Sequence, residues 1–349
     1  MKSPVSISKA TGLLIVLFAR DLFAAGLLET MDAEVSSLYE KSKDAIIRVH
    51  AKSQPLYGMP ARTGTGFFID DHGRFVTSAT LVENAQTCWI DWDGQRVSTR
   101  VVGTDPNTNL ALLEVETGQP TPVLKVSAAN DLRVGSMVIA IGFPYDLPSA
   151  PSVGFVTGLD ISCGTRVFPV NFIRAGCKLR PGQGGGPMLN VRGEVVGMAV
   201  AAHADDQCYA VPIAAVNKIC ADLVQHGETR YSWVGLNVTE RQVTNNTRSA
   251  QWHVFVQEVT SNSPAAEAGF QNRDMLLRIS TNDIRHSADV LNTMFYRRCG
   301  ERVSMTILRD GVTQQVSVVV GHRLEQPVTA RALPSSVPTI LPAFIKAPR

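Results

Sequence analysis

Charge is scarce in this chain. Of its 349 residues 18% are Asp, Glu, Lys or Arg, the formal net charge is +2, and no cluster of Lys and Arg interleaves with aromatics. A nucleic-acid partner is therefore not expected, because such a partner needs a concentrated basic face. Cysteine is sparse as well. The six residues, at 88, 163, 177, 208, 220 and 299, have no Cys-x-x-Cys spacing and no histidine at zinc-finger distance, so neither a metal site nor a cofactor is expected. Long apolar runs are few. The stretch Leu13-Leu14-Ile15-Val16-Leu17-Phe18-Ala19 stops at Arg20 and Asp21 and falls short of the roughly 20 residues that span a bilayer, and no other segment approaches that length.

Apolar residues are present in quantity, at 44% of the chain, enough for about two or three globular domains. Lys2 and Lys9 precede the first apolar run and Ala24-Ala25-Gly26 follow it, the order of a secretory signal peptide over residues 1–26. The alternative for this segment is an ordinary buried or interfacial helix. With a signal, the chain is exported to a periplasm or the extracellular space, where disulfides become available.

From Ala45 to Val211 the chain is a series of short apolar or alternating runs, among them Gly66–Ile69, Cys88–Trp92, Leu110–Val115, Met137–Ile141, Val153–Ile161 and Val195–Val200. Turn residues such as Asp71-His72-Gly73 and Asp93-Gly94 separate them, and this spacing predicts an all-β barrel or sandwich. A helix follows over Ala214–His226, closed by Gly227, with Val216, Ile219, Cys220, Leu223 and Val224 on one face. Within the β region lies Pro181-Gly182-Gln183-Gly184-Gly185-Gly186-Pro187. Its glycines reach backbone angles that can aim successive N–H groups at an anion; the plainer alternative is a tight connection between strands.

The prolines at 181 and 187 and the glycines at 182, 185 and 186 resemble the nucleophile loop, Pro-Gly-x-Ser-Gly-Gly-Pro, of trypsin-like serine proteases of the HtrA/Deg family. Thr63–Ile69, Gly103–Leu113, Gly193–Met198 and Tyr209–Pro212 resemble further segments of that family, in order, between about residues 40 and 322. The resemblance implies a mostly β protein: a trypsin-like double β-barrel over 38–227, a PDZ domain of α+β type over 231–322, and a Pro-rich tail over 323–349.

Serine proteases of this kind need a hydroxyl nucleophile, an imidazole base and a carboxylate that fixes the imidazole tautomer. By the resemblance these positions fall on Gly184, Thr80 and Asn109, none of which is the required residue. The oxyanion-hole N–H groups of Gly182 and Gly184 need no side chain. The resemblance thus implies a degenerate, non-catalytic relative, and the alternative is a hydrolase using another residue set, for which Cys177 with His203 is one pairing. A disulfide from Cys177 to Cys208 or to Cys163 is the other implication drawn for Cys177.

After Tyr231 the runs Ser232–Val238, Val254–Val259 and Asp274–Ile279 read as strands, Ser287–Arg298 as a helix, and Val303–Leu308 with Val312–Val319 as a hairpin about Asp310-Gly311. Ser263-Pro264-Ala265-Ala266-Glu267-Ala268-Gly269-Phe270 resembles a PDZ motif of the same family, although Asn272-Arg273-Asp274 departs from its usual Gly-Asp. A PDZ domain adds a C-terminal peptide to a sheet edge. The implied carboxylate loop is Trp233-Val234-Gly235-Leu236, and the implied groove wall is Val290, Leu291 and Met294, which are alternatively core. Partners implied by the resemblance are unfolded polypeptides or C-terminal peptides, and a homo- or hetero-oligomer with HtrA-like proteases, a trimer by analogy. The tail carries five prolines in its 28 residues after Gly321, which predicts an extended segment.

Overall fold

A computed structural model describes residue 26 and residues 28–53, 61–128, 132–163, 166–202, 207–244 and 250–322. The expected signal segment and the Pro-rich tail lie outside these residues, apart from Gly26. A helix that the sequence reading did not anticipate, α1 over 28–42, comes first. Leu38 near its end is buried, and the Tyr39 hydroxyl sits 2.9 Å from the Ser149 carbonyl oxygen, so the helix is tied to the body at its C-terminal end.

Two closed barrels follow. The first contains β1 (Ile46–Ser53), β2 (Arg62–Phe68), β3 (Arg74–Ser78), β4 (Ala85–Trp92), β5 (Gln95–Asp105) and β6 (Leu110–Val115), closed in the order β1-β2-β3-β6-β5-β4. Between β3 and β4 runs a single helical turn, α2 (Ala79–Val82). The second contains β7 (Met137–Gly142), β8 (Ala150–Cys163), β9 (Arg166–Ala175), β10 (Pro187–Asn190), β11 (Val195–Ala202) and β12 (Cys208–Pro212), closed as β10-β11-β12-β9-β8-β7. Closure leaves neither sheet with an exposed edge. Phe67, Leu110 and Leu112 of the first barrel and Ile139, Ile141 and Leu189 of the second share one core cluster, so the barrels are packed against each other.

Helix α3 (Ile213–His226) ends on Gly227, whose φ of 76° is the left-handed cap expected from the sequence. Val216, Ile219, Cys220 and Leu223 are buried, whereas Val224 is exposed, which corrects its place on the apolar face. Burial pushes the Cys220 thiol up to about 12.

The third unit has the strand pair β13 (Ser232–Trp233) with β20 (Gly321–His322), and a sheet ordered β14-β15-β16-β18-β19. Its strands are β14 (Leu236–Thr244), β15 (Ala250–Val259), β16 (Met275–Ile279), β18 (Arg302–Arg309) and β19 (Val312–Val319), and β17 (Asn282–Asp283) pairs with β16. The expected strand Ser232–Val238 is broken at Gly235, where φ is +83° and an added Cβ would stand 2.2 Å from the Ser263 Cβ. Two helices complete the unit, α4 (Pro264–Glu267) and α5 (Ser287–Phe295). The α5 helix stops three residues before the expected Arg298, because Phe295 turns into the core cluster of the barrels and Tyr296 caps the helix.

This unit is docked on the barrels. The Tyr231 hydroxyl donates to both carboxylate oxygens of buried Asp105 at 2.7 and 2.8 Å, and Asn292 of α5 accepts the Asn171 N–H of β9 at 3.0 Å. Lys218 of α3 lies over the Phe295 ring, 5.0 Å from its centroid. None of the helices among the described residues is long and apolar enough to cross a membrane.

Candidate functional site

The glycine loop lies between the barrels, and a buried threonine sets its shape. Thr65 of β2 donates its hydroxyl to the Gly182 carbonyl at 2.7 Å, accepts the Phe143 N–H at 3.0 Å, and donates its own N–H to the Gly184 carbonyl at 3.1 Å. The Thr77 hydroxyl of β3 in turn donates to the Thr65 carbonyl at 2.7 Å. From the second barrel, Ala199 of β11 accepts the Gly185 N–H at 2.6 Å, and buried Gln183 accepts the Arg180 N–H through its side chain. Both barrels therefore hold the loop.

Gly185 is irreplaceable on steric grounds. Its φ is +90° and an added Cβ would meet the Thr65 carbonyl oxygen at 2.2 Å and the Ser78 nitrogen at 2.8 Å. Gly184 is the opposite case, since nothing lies within 4 Å of an added Cβ there. The N–H groups of Gly182 and Gly184 have no acceptor among the described residues. The Pro181 carbonyl accepts the Tyr145 N–H at 2.7 Å. Because a trans peptide points its C=O and N–H in opposite directions, the Gly182 N–H is directed away from Tyr145.

Thr80 and Asn109 meet beside this loop. Thr80 sits exposed on α2, its N–H donating to Asn109 Oδ1 at 2.8 Å and its hydroxyl 2.8 Å from the Ser78 hydroxyl. Asn109 adopts φ of 59°, a left-handed angle that asparagine tolerates well, just before β6. Its Nδ2 donates to the Val200 carbonyl of β11 at 3.2 Å, and its own carbonyl accepts the Ala79 N–H at 3.0 Å. The amide thus joins both barrels, with its acceptor toward Thr80 and its donor toward Val200.

The other sequence candidates fall elsewhere. Cys177 and Cys208 are both fully buried, side by side as thiols, and the Cys177 thiol is directed at the Val138 carbonyl 4.0 Å away. The hydrogen bond with Cys177, with burial behind it, pushes the Cys208 thiol far above the ordinary range. A thiol enclosed in this way reaches no substrate. His203 lies outside the described residues, as does the side chain of Cys163. The described residues contain no cluster of His, Cys, Asp and Glu that could hold a metal.

In the third unit β14 is an edge strand whose second side is unpaired among the described residues. Gly235 and the half-buried Leu236 and Trp233 occupy the head of this edge, while Val234 is core. Across from β14, Val290 is half-buried, Leu291 is 42% exposed, and Met294 is buried. Trp233, Leu291 and Met294 also line a cavity of about 730 Å³ at the junction with the barrels, whose opposite wall is Thr104–Asn107. Of the implied groove residues Leu291 is therefore surface, while Met294 and Val234 belong largely to the core. Sequence reading missed Thr65 and the carboxylate of Glu240, which reaches Ser287 of α5 from β14.

Comparison with known proteins agrees with this geometry. Residues 64–198 match the trypsin-like peptidase domain and residues 234–320 the PDZ domain. The Synechocystis protein HhoB is 29% identical over 276 residues, covering 74% of this chain and 66% of HhoB. A protein of Pseudomonas fluorescens named as a DegP-like periplasmic serine endoprotease is 27% identical over 285 residues (78% and 59%), and the serine protease Do-like HtrA of Bacillus subtilis is 28% identical over 289 residues (76% and 64%). The chain spans 59% to 66% of the length of these three relatives. Among solved structures, the HtrA-type protease AlgW with tripeptide superposes with a TM-score of 0.68 at 20% identity, covering 83% of this chain and 97% of AlgW. A serine endoprotease from Yersinia pestis gives 0.60 at 21% identity, with 82% and 97% covered.

Two barrels enclosing a glycine loop, followed by a sheet with a free edge beside a helix, define a trypsin-like peptidase domain joined to a PDZ domain. In both domains the chain is similar to the HtrA/DegP-type proteins.

Proposed function

We propose that this protein is an HtrA-type polypeptide-binding or quality-control scaffold that lacks serine-protease turnover and holds unfolded chains or C-terminal peptides. The carrying observation is the chemistry of the cleft: Gly184 stands where the nucleophile belongs, and the two partner positions are Thr80 and Asn109, bonded to each other. Glycine has no hydroxyl to attack a carbonyl, and threonine cannot take and return a proton near neutral pH. The amide of Asn109 is occupied at both ends by Thr80 and Val200. The loop and its N–H groups remain, so the cleft keeps a surface that can hold a carbonyl or carboxylate without cleaving it.

The PDZ edge carries the positive half of the proposal. A peptide adding to β14 with its carboxylate at Trp233–Leu236 needs no residue of the cleft. The relatives' names support export to the periplasm for this chain, together with the signal-like order of its first 26 residues. Assembly with copies of itself or with an active HtrA-like protease, as a trimer, completes the reading.

A second reading is favoured by the relatives, which are named as serine proteases: a serine-type endopeptidase working through a residue set other than these three. One set of measurements separates the two. The purified protein is incubated with unfolded casein and with a serine-directed phosphonate, and its affinity for peptides with a free or an amidated apolar C-terminus is measured by calorimetry. The expected result is no cleavage, no adduct, and micromolar binding, about 8 kcal/mol, that falls at least about tenfold on amidation. Cleavage that survives removal of Cys177 and His203, with contaminating protease excluded, overturns the proposal in favour of the second reading.

A further inference from the structure

The PDZ edge has a charged element that the function proposed above does not use. Along β14, Leu236, Val238 and Glu240 alternate onto one face, because side chains at i, i+2 and i+4 of a strand point the same way. Glu240 shows which way that face looks. Its Oε1 accepts the Ser287 N–H at 2.8 Å and the Ser287 hydroxyl at 2.5 Å, and its Oε2 lies 3.2 Å from His286 Nδ1. The carboxylate therefore reaches across from the edge strand to the first turn of α5, on the side where an added peptide would lie.

The charge there has no permanent cation beside it among the described residues, only His286. Burial pushes the Glu240 carboxyl up, but the Ser287 donors and His286 outweigh it and hold it below the ordinary carboxylate range. Only 28% of the side chain is exposed, yet no Lys or Arg among the described residues pairs with it. The neighbouring Arg241 is turned elsewhere, its guanidinium lying over the Phe255 ring, 5.8 Å from its centroid. Carboxylates with this little solvent are ordinarily paired with a cation. Here the one partner of that kind among the described residues is His286, a cation only when protonated, and no Lys or Arg takes its place.

We propose that Glu240 is a specificity-determining residue that selects C-terminal peptides carrying Lys or Arg at the third or fifth position from the free end. The proposal rests on the reading of this domain as a C-terminal-peptide binder. An antiparallel peptide with its carboxylate at Trp233–Leu236 sets its last residue beside Leu236, its third-from-last beside Val238 and its fifth-from-last beside Glu240. Those three side chains face α5, and the second and fourth face away. From the third position Glu240 is a diagonal cross-strand neighbour, roughly 7–8 Å off and within reach of a long side chain.

The test is a lysine scan on the full chain. A neutral parent peptide with a free C-terminal valine is compared with four variants bearing one lysine at the second, third, fourth or fifth position from the end. Lysine at the third and fifth positions should tighten binding about three- to tenfold and at the second and fourth by less than about twofold, and the gain should shrink at high salt. Glu240→Gln keeps an acceptor for the Ser287 N–H, and in it the ratio of lysine-peptide to parent affinity should fall to within about twofold of one at every position. Glu240→Lys should transfer the preference to glutamate-bearing peptides. A lysine gain of equal size at all four positions, or one unchanged in Glu240→Gln, overturns the proposal alone. If neither the parent nor any variant binds, the reading of the domain falls and the proposal falls with it.

Discussion

Placing a carboxylate at position 109 should harm this protein. In the present fold the Asn109 amide gives its oxygen to the Thr80 N–H at 2.8 Å and its nitrogen to the Val200 carbonyl at 3.2 Å. Asn109→Asp keeps the first bond and turns the second into two acceptors facing each other at about the same separation. The loss has two parts. One neutral hydrogen bond contributes about 1 kcal/mol, and a partly buried carbonyl left without its donor costs about 1–3 kcal/mol, so a net destabilisation of about 2 kcal/mol is expected at pH 7. For a domain of this size that corresponds to a fall in Tm of about 4–8 °C. Thermal unfolding followed by circular dichroism measures it, and the loss should be smaller at pH 3, where a protonated carboxyl can donate to Val200. An Asn109→Asp variant as stable as wild type at pH 7 would show that the site still accepts a carboxylate, and the inference that the cleft has settled into a non-catalytic bonding pattern would fail.

Three other outcomes follow from the same geometry. Gly185→Ala should cost about 3 kcal/mol or more in chemical denaturation, since its Cβ would stand 2.2 Å from the Thr65 carbonyl oxygen at φ of +90°, whereas Gly184→Ala should stay within about 0.5 kcal/mol. Lys125, Asn190 and Arg192 hold the Glu194 carboxyl down to about 2 from an ordinary 4.5. Its contribution to stability is then present above about pH 4.5 and lost as pH falls toward 2, so Glu194→Gln should flatten the acid limb of the stability profile between those values. For the exported protein, a disulfide between the adjacent Cys177 and Cys208 should appear as a two-hydrogen mass difference on reduction, and a Cys208→Ser chain should not show it.

Much of the architecture was legible because local chemistry and tertiary structure agree. Asp93-Gly94 and Asp310-Gly311 both adopt positive φ at their two residues, 48° and 72° in the first pair and 48° and 81° in the second, the turn that Asp-Gly predicts between paired strands. Gly227 caps α3 for the same local reason. The failures have a different origin. Val35, Leu38 and Tyr39 dock α1, and they give too short a stripe to separate a surface helix from the signal-like run before it. The end of α5 was misplaced because Phe295 is drawn into a core built by the barrels, a contact that periodicity within the helix cannot report.

The cleft divides along the same line. Thr80, Asn109 and Gly184 are the positions that the resemblance singles out, yet what they do depends on partners distant in sequence. Asn109 bonds Val200, 91 residues away, and Thr65 bonds Gly182, 117 residues away. Those bonds hold the loop's shape whatever side chain stands at position 184. Its conformation is fixed by Thr65, Thr77, Gln183 and the Ala199 carbonyl, so the three residues that the resemblance assigns to chemistry and those that hold the shape are different sets. A chain that loses the first set while retaining the second still folds to a cleft with two directed N–H groups. Under the function proposed above, binding outlasts cleavage for this reason, and the residues to mutate in order to abolish such binding are Thr65 and Gly185 rather than Thr80 or Gly184.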